Sequence, residues 1–385
     1  MDVIRTDQYA LVITQKKEIY DLLLLLSKDN FFELKWVPSQ VEAEKLMAFS
    51  PPFVLILNDC VHSSSWQDLK EQYPDLPLIL CGMHPDTCVL LDMVHRGVMD
   101  YFDLQVLSSE YLSEALLRAF MLSSVHQERQ LYRKRLEEML RVLKMDQEAG
   151  RRVQQKFFPE HKWLFHDICF DYRIYPSLYL SGDFVDYYPI DDHRVAFYVA
   201  DVSGHGASSA FVTILLKNYI ERLRRRFALK MDEALQSPHQ VLSSLNTELY
   251  SLGLGKHLAI FSGLIDTQEK KLYYSVAAQY PPPYLILEGG KVILLDEKGG
   301  LPIGIFPATS YPLYEQQLTD SFTLVILSDG ILEVLDEVGI EAKELALREK
   351  VLALKGDLCE IEKLYALDQR DTLPDDITLC VISSG

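Results

Sequence analysis

From residue 107 to residue 158 the sequence contains no proline, and the next one is Pro159. Leu136, Met139, Leu140 and Leu143 fall on one stripe there, with charged residues around it. That spacing predicts a long helix with a narrow apolar seam. A long helix has no interior of its own. The residues before and after it must therefore build separate cores, and the chain divides into 1–106, 107–158 and 159–385. The seam has two readings, a short coiled coil between two protomers or a helix packed on its own domain. The narrow stripe in a segment joining two domains favours the dimer.

The flanks differ in texture. Before the helix, five short apolar runs alternate with amphipathic stretches: "YALVIT" (9–14), "FELKWV" (32–37), "FVLIL" (53–57), "LPLILC" (76–81) and "VMDYF" (98–102). This alternation predicts an α/β, doubly wound parallel sheet. After the helix, strand patterns dominate, among them "RVAFYVADVS", "LAIFSGLID", "FTLVILSDG" and "DITLCVIS". Two helical stretches, near 207–226 and 237–252, interrupt them. The expectation for this part is α+β, with sheets covered by helices.

The formal net charge of -18 argues against nucleic acid, which needs a basic face. Six cysteines, at 60, 81, 88, 169, 359 and 380, show no CxxC spacing and sit partly in strand-like runs. They fit buried thiols in a reducing cytoplasm better than a zinc site. No apolar run reaches the ~18 residues of a membrane span, and the N-terminal stretch lacks the pattern of a signal peptide. The expected location is cytoplasmic.

Around the third and fifth strand candidates, "PPFVLILNDC" and "HRGVMDYFDLQ" resemble a response-regulator receiver domain. The resemblance implies an acidic pair after strand one, an aspartate ending strand three, a hydroxyl residue after strand four and a lysine after strand five. Here Thr14-Gln15-Lys16-Lys17 follows strand one, and Asn58 stands at the phosphoacceptor position with Asp59 out of phase by one. Cys81-Gly82 replaces the hydroxyl residue, and Leu104 lies near the lysine position. A degenerate receiver that dimerises or binds a partner is expected, rather than a phosphorylated switch.

In the C-terminal part, acids abut apolar strands that must be buried: Asp183 and Asp186 in "SGDFVD", Asp201 in "ADVSGHG", Asp329 in "SDGILE", and Asp375 and Asp376 in "DDIT". Each alone reads as a turn residue. Several carboxylates held at the rim of one core would repel each other, and a hard divalent cation resolves that repulsion. Together, and in this order, they resemble the metal-dependent Ser/Thr protein phosphatases (the PPM family) in their SpoIIE/RsbU branch. "VQQKFFPE" (153–160) adds to this, because it is similar to the element with which that branch enters its catalytic domain.

The resemblance covers residues 145–385 and implies an α-β-β-α sandwich with two or more manganese or magnesium ions at one end. By it, Asp201 bridges two metals, the Val202 carbonyl faces one, Asp183 serves the second, and Asp329 and Asp375 serve the first. Asp376 fills the neighbouring position and is not separable from Asp375. His205 either protonates the leaving oxygen or only hydrogen-bonds within its loop. The implied reaction is hydrolysis of a phosphoserine or phosphothreonine by metal-activated water, with an anti-sigma-factor antagonist as the protein substrate. The helix ending in "VQQKFFPE" would be a switch element. One departure is Gln279 in "AAQYPPP", where the branch often has histidine; Gly304 in "LPIGIF" keeps the branch's glycine. The alternative, a non-catalytic adaptor of a sigma-factor pathway, is opposed by the complete acid set.

Overall fold

The structure, a computed structural model, describes residues 8–28, 32–58, 65–83, 87–295, 300–370 and 372–384. Two compact units, Met1–Arg141 and Val142–Gly385, make up the chain.

In the first unit, strands β1 (Tyr9–Ile13), β2 (Glu33–Val37), β3 (Val54–Asn58), β4 (Leu78–Gly82) and β5 (Asp100–Asp103) alternate with helices. These are α1 (Lys17–Leu26), α2 (Gln40–Phe49), α3 (Ser65–Gln72), α4 (Thr87–His95) and the first part of α5 (Ser109–Gln154), whose residues from Val142 onward belong to the second unit. The strands pair in parallel in the order β2-β1-β3-β4-β5, a doubly wound arrangement. Strands β1, β3 and β4 are buried along their whole length, because helices cover both faces of the sheet. Leu11, Leu55 and Leu80 pack with Met47 of α2, Leu69 of α3 and Met93 of α4. Val12, Ile56 and Phe102 pack with Leu23 of α1 and Leu112 and Leu116 of α5. Asn58 is buried at the end of β3 and donates to the Cys81 carbonyl at 3.1 Å, so its amide ties β3 to β4. Asp59 lies outside the described residues.

Helix α5 has 46 residues and closes in a 3₁₀ turn, Gln155–Phe157, ahead of Pro159, where the clash of a proline with its predecessor disfavours further helix. Leu136, Met139, Leu140 and Leu143 are between 56 and 70% exposed. Among the described residues, no helix is long and apolar enough to cross a membrane.

In the second unit, β6 (Trp163–Phe165), β7 (Ile168–Tyr175), β8 (Asp183–Pro189) and β9 (Arg194–Val202) are followed by α6 (Ala207–Ala228) and α7 (Pro238–Leu252). Strands β10 (Leu258–Asp266), β11 (Lys271–Ala277), β12 (Tyr284–Leu287), β13 (Val292–Leu294), β14 (Tyr314–Gln317) and β15 (Phe322–Leu327) come next. The chain ends with α8 (Gly330–Glu333), α9 (Ile340–Ala353), α10 (Leu358–Leu364) and β16 (Ile377–Ser384). Two antiparallel sheets result, β14-β11-β10-β9-β8 and β13-β12-β15-β16-β7-β6. Their inner faces share a core rich in aromatic rings, with Phe170, Phe197, Phe261 and Tyr274 beside Leu324 and Ile382. Each such side chain taken from water contributes roughly 1.5–3 kcal/mol. Leu216 and Ile220 of α6 and Leu245 and Leu249 of α7 cover the outer face of the first sheet. Ile331, Leu347, Val351 and Ile361 cover the second with Leu327 and Leu379.

The layers are therefore helix, sheet, sheet, helix. Periodicity pointed to only two helices here, and α8 to α10 supply the other layer. Their signal is weak for a physical reason: α8 spans one turn, and α9 buries Leu347 and Val351 while exposing Ile340 and Leu345, so no clean stripe forms.

Candidate active site

The acids arrive at one place from both sheets. Strands β8 and β9 pair in a register that sets Asp183 directly opposite Asp201. In the other sheet, β15 pairs with β16 so that Leu327 faces Leu379. Asp329 thus leaves β15 where Asp375 and Asp376 enter β16. Ser328 seals this junction: its amide donates to the Thr378 carbonyl at 3.0 Å, and its hydroxyl accepts from the Thr378 amide at 2.8 Å. Gly330 is required by close approach, since a Cβ there would stand 2.1 Å from the Asp376 carbonyl oxygen.

The electrostatics follow from burial. Asp183 is 1% exposed, and its carboxyl is raised well above the usual carboxylate range, first by burial and then by the Asp201 charge. The Oδ2 of Asp183 is buried without a hydrogen-bond partner. Asp201 is pushed up to about 7 by burial and then by the charges of Asp329, Asp375 and Asp376. Asp329 is raised by burial and by Asp375. Among the described residues, no three ligand-type side chains are already drawn into a closed ion cage. What fits a cation is the chemistry of the donor set: all oxygen, mutually repelling, and including one orphaned buried carboxylate oxygen.

The adjacent pair separates by geometry. Asp376 is 4% exposed. Its Oδ1 accepts from the Ser177 amide (2.6 Å) and hydroxyl (2.8 Å), and its Oδ2 from the Gly182 amide (2.6 Å) and the Ser181 hydroxyl (3.1 Å). Its oxygens are spent on the loop that leads into Asp183. Asp375 is only half-buried, and its Oδ1 accepts one bond, from the Asp376 amide at 2.8 Å. His205 is exposed, and among the described residues no hydrogen bond holds its ring. Val202 is fully buried at the end of β9.

Three further residues carry weight that spacing did not reveal. Gln154, at the end of α5, is 3% exposed. Its Nε2 donates to the Ser181 carbonyl (2.7 Å) and the Thr213 hydroxyl (3.2 Å), while its Oε1 accepts from the Ser181 amide (3.2 Å). Gln279 donates from Nε2 to the Leu327 carbonyl at 2.8 Å, two residues before Asp329. Lys256 donates to the Ser203 carbonyl in the loop after Asp201. The family motifs gave a reason to look at "VQQKF" and at Gln279; Lys256 carried no such signal.

An antiparallel β-sandwich with a helical layer on each outer face is the fold of a PP2C-type domain. The SiaA-PP2C domain of Pseudomonas aeruginosa is a solved relative in fold, with TM-score 0.52 at 17% identity, covering 63% of this chain and 97% of that one. The family model of stage II sporulation protein E (SpoIIE) matches residues 191–384, about half of the sequence, and the chain belongs to that family. Asp183 lies just before the matched residues. The chain is 29% identical over 196 residues to phosphoserine phosphatase RsbP of Bacillus subtilis (strain 168), covering 49% of this chain and 46% of that protein. It is 25% identical over 165 residues to phosphoserine phosphatase RsbU of the same organism, covering 43% and 46%. The chain thus spans less than half the length of these curated relatives.

Proposed function

We propose that the second unit is a metal-dependent phosphatase for phosphoserine or phosphothreonine in a signalling protein of the anti-sigma-factor antagonist type. The observation that carries this reading is the gathering of Asp183, Asp201, Asp329 and Asp375, in a family whose curated relatives here are phosphoserine phosphatases. Asp201 would hold two divalent cations, manganese or magnesium, with the Val202 carbonyl and Asp183 on one and Asp329 and Asp375 on the other. When bound, such a pair supplies charge for the phosphoryl oxygens and an acidified attacking water. Asp376 aligns the Ser177–Gly182 loop rather than ligating. His205, exposed and without a hydrogen bond to its ring among the described residues, would give a proton to the leaving serine oxygen. The adaptor alternative has no observation of its own, since none of the acids is lost.

The test is manganese-dependent hydrolysis of para-nitrophenyl phosphate by the full chain, beside Asp201→Asn and Asp329→Asn. Turnover is expected in wild type and a loss of about a thousandfold in each variant, as for removal of a group that acts on developing charge. His205→Ala should cost little on that substrate, whose leaving group needs no proton, and about a hundredfold on a phosphoserine peptide. Wild-type protein that binds manganese but never turns over, with or without a partner, would overturn the enzymatic reading.

The first unit is read as a degenerate receiver, with Asn58 serving as a strand tie. Helix α5 is read as both dimer seam and switch element. Its Gln154 grips Ser181, whose hydroxyl donates to Asp376 and accepts from the Asp183 amide at 3.0 Å, so a shift of the helix end would reach Asp183 through one hydrogen-bonded residue. Leu136→Asp with Leu140→Asp should halve the mass seen by light scattering and change the turnover rate. An unchanged mass and rate would remove the dimer and the switch together.

A further inference from the structure

We propose that Lys256 is a positioning residue for the loop that follows Asp201, clamping its carbonyl groups so that the turn holds one shape. Its catalytic consequence rests on the phosphatase reading above.

Strands β9 and β10 pair with Asp201 opposite Ala259 and Val202 opposite Leu258. The ladder continues past the strand ends: the Ser203 amide donates to the His257 carbonyl at 2.8 Å, and the His257 amide donates to the Ser203 hydroxyl at 3.1 Å. This brings Lys256 beside the Ser203–Gly206 turn. Its Nζ donates to the Ser203 carbonyl at 2.8 Å and to the Ser209 hydroxyl at 3.1 Å. With its lone pair engaged by the ammonium, Ser209 turns its own proton toward the Gly204 carbonyl at 2.9 Å, with the Ser203 carbonyl a longer 3.2 Å away. Ser209 is fully buried. The far side of the turn rests on Gly182, where a Cβ would stand 2.9 Å from the Val202 carbonyl oxygen and 3.1 Å from that of Gly204.

Peptide planarity turns this clamp into orientation. In a trans peptide the carbonyl of one residue and the amide of the next point in opposite directions. Fixing the Ser203 and Gly204 carbonyls toward Lys256 and Ser209 therefore turns the Gly204 and His205 amides away from them. Among the described residues no ion pair ties Lys256 to a carboxylate, so both of its hydrogen bonds serve this one assembly. A lysine that only filled space would not need two hydrogen bonds converging on one turn. Without the ammonium, the single proton of the Ser209 hydroxyl is left to serve both the Ser203 and the Gly204 carbonyl, and the turn after Asp201 and Val202 gains freedom next to the cation site.

The test uses the full chain with Lys256→Met, Lys256→Arg and Ser209→Ala. Lys256→Met should lower kcat about 10–100-fold with manganese present and leave KM within about twofold, since small misplacements of reacting groups act on that scale. Manganese affinity measured by calorimetry should fall about tenfold, as it does when a group supporting the ligands is removed. Lys256→Arg, which keeps the charge and the donors, should restore most of both. In metal-free protein, hydrogen exchange at the Ser203 amide should quicken in Lys256→Met. If Lys256→Met does not fold, Ser209→Ala, which removes half the clamp, should show the same changes in smaller measure. Wild-type kcat, manganese affinity and exchange in a folded variant would overturn the proposal, as would a lowered melting temperature with none of these changes. If the wild-type chain hydrolyses nothing, the phosphatase reading fails by itself, and the calorimetry and exchange still decide the role of Lys256.

Discussion

Asp376→Ala is expected to destabilise the second unit by about 3–5 kcal/mol, whereas Asp375→Ala leaves stability within about 1 kcal/mol of wild type and removes activity. The two acids are neighbours in sequence but not in role. Removing the Asp376 carboxylate strands four donors: the amide and hydroxyl of Ser177, the hydroxyl of Ser181 and the amide of Gly182. The Ser177 amide follows the end of β7 and the Gly182 amide precedes β8, so neither has a helix or ladder to take it over. Each buried unsatisfied donor costs about 1–3 kcal/mol, and water reaching the half-buried Ser177 or entering the vacated space offsets part of the sum. For a unit of this size, the melting temperature should drop by about 10 °C. Asp375 surrenders a single accepted bond, from the Asp376 amide, and is half-exposed. Thermal unfolding of both variants in a metal chelator is the measurement. Equal shifts, or a larger one for Asp375→Ala, would reverse the assignment of ligand and positioning residue.

That division shows what was legible in the sequence and what was not. The strands were, because burial imposes apolar runs of fixed length: "FVLIL" and "YALVIT" lie over β3 and β1, and the proline-free stretch is α5. The acids stood out as well, because a carboxylate beside an apolar strand conflicts with its neighbours. The difference between Asp375 and Asp376 was hidden, since it rests on Ser177 and Gly182, more than 190 residues away along the chain. Lys256 was hidden for the same reason: its partners, Ser203 and Ser209, are 53 and 47 residues distant. Gln154 was visible only as part of a motif; its contact with Ser181 gives that motif a physical reason. Spacing reveals periodic burial, which is local. It is silent on which polar group satisfies which, because that is decided when distant loops meet.

Without metal, Asp201→Asn is expected to be more stable than wild type at pH 8 and equal to it near pH 4. The sign follows from the direction of the shift. Asp201 lies near 3.8 in the unfolded chain and is pushed up to about 7 in the folded one. Between those values the folded protein holds a proton that the unfolded chain has released, so raising the pH favours unfolding. The destabilisation begins near pH 4, grows through the window and is complete above about pH 7. Asparagine never ionises and escapes it. Several acids share the repulsion, so the difference at pH 8 should be about 2 kcal/mol, or about 4–8 °C in melting temperature. Manganese should reverse the order, because wild type gains binding energy in proportion to the logarithm of metal concentration and the variant gains little. A gap between the two proteins that stays constant from pH 4 to 8, or an equal rise of both with manganese, would show that Asp201 is not the carboxylate under strain. If the order does reverse, one side chain accounts for both effects: the charge that weakens the empty fold is the charge that a cation would use.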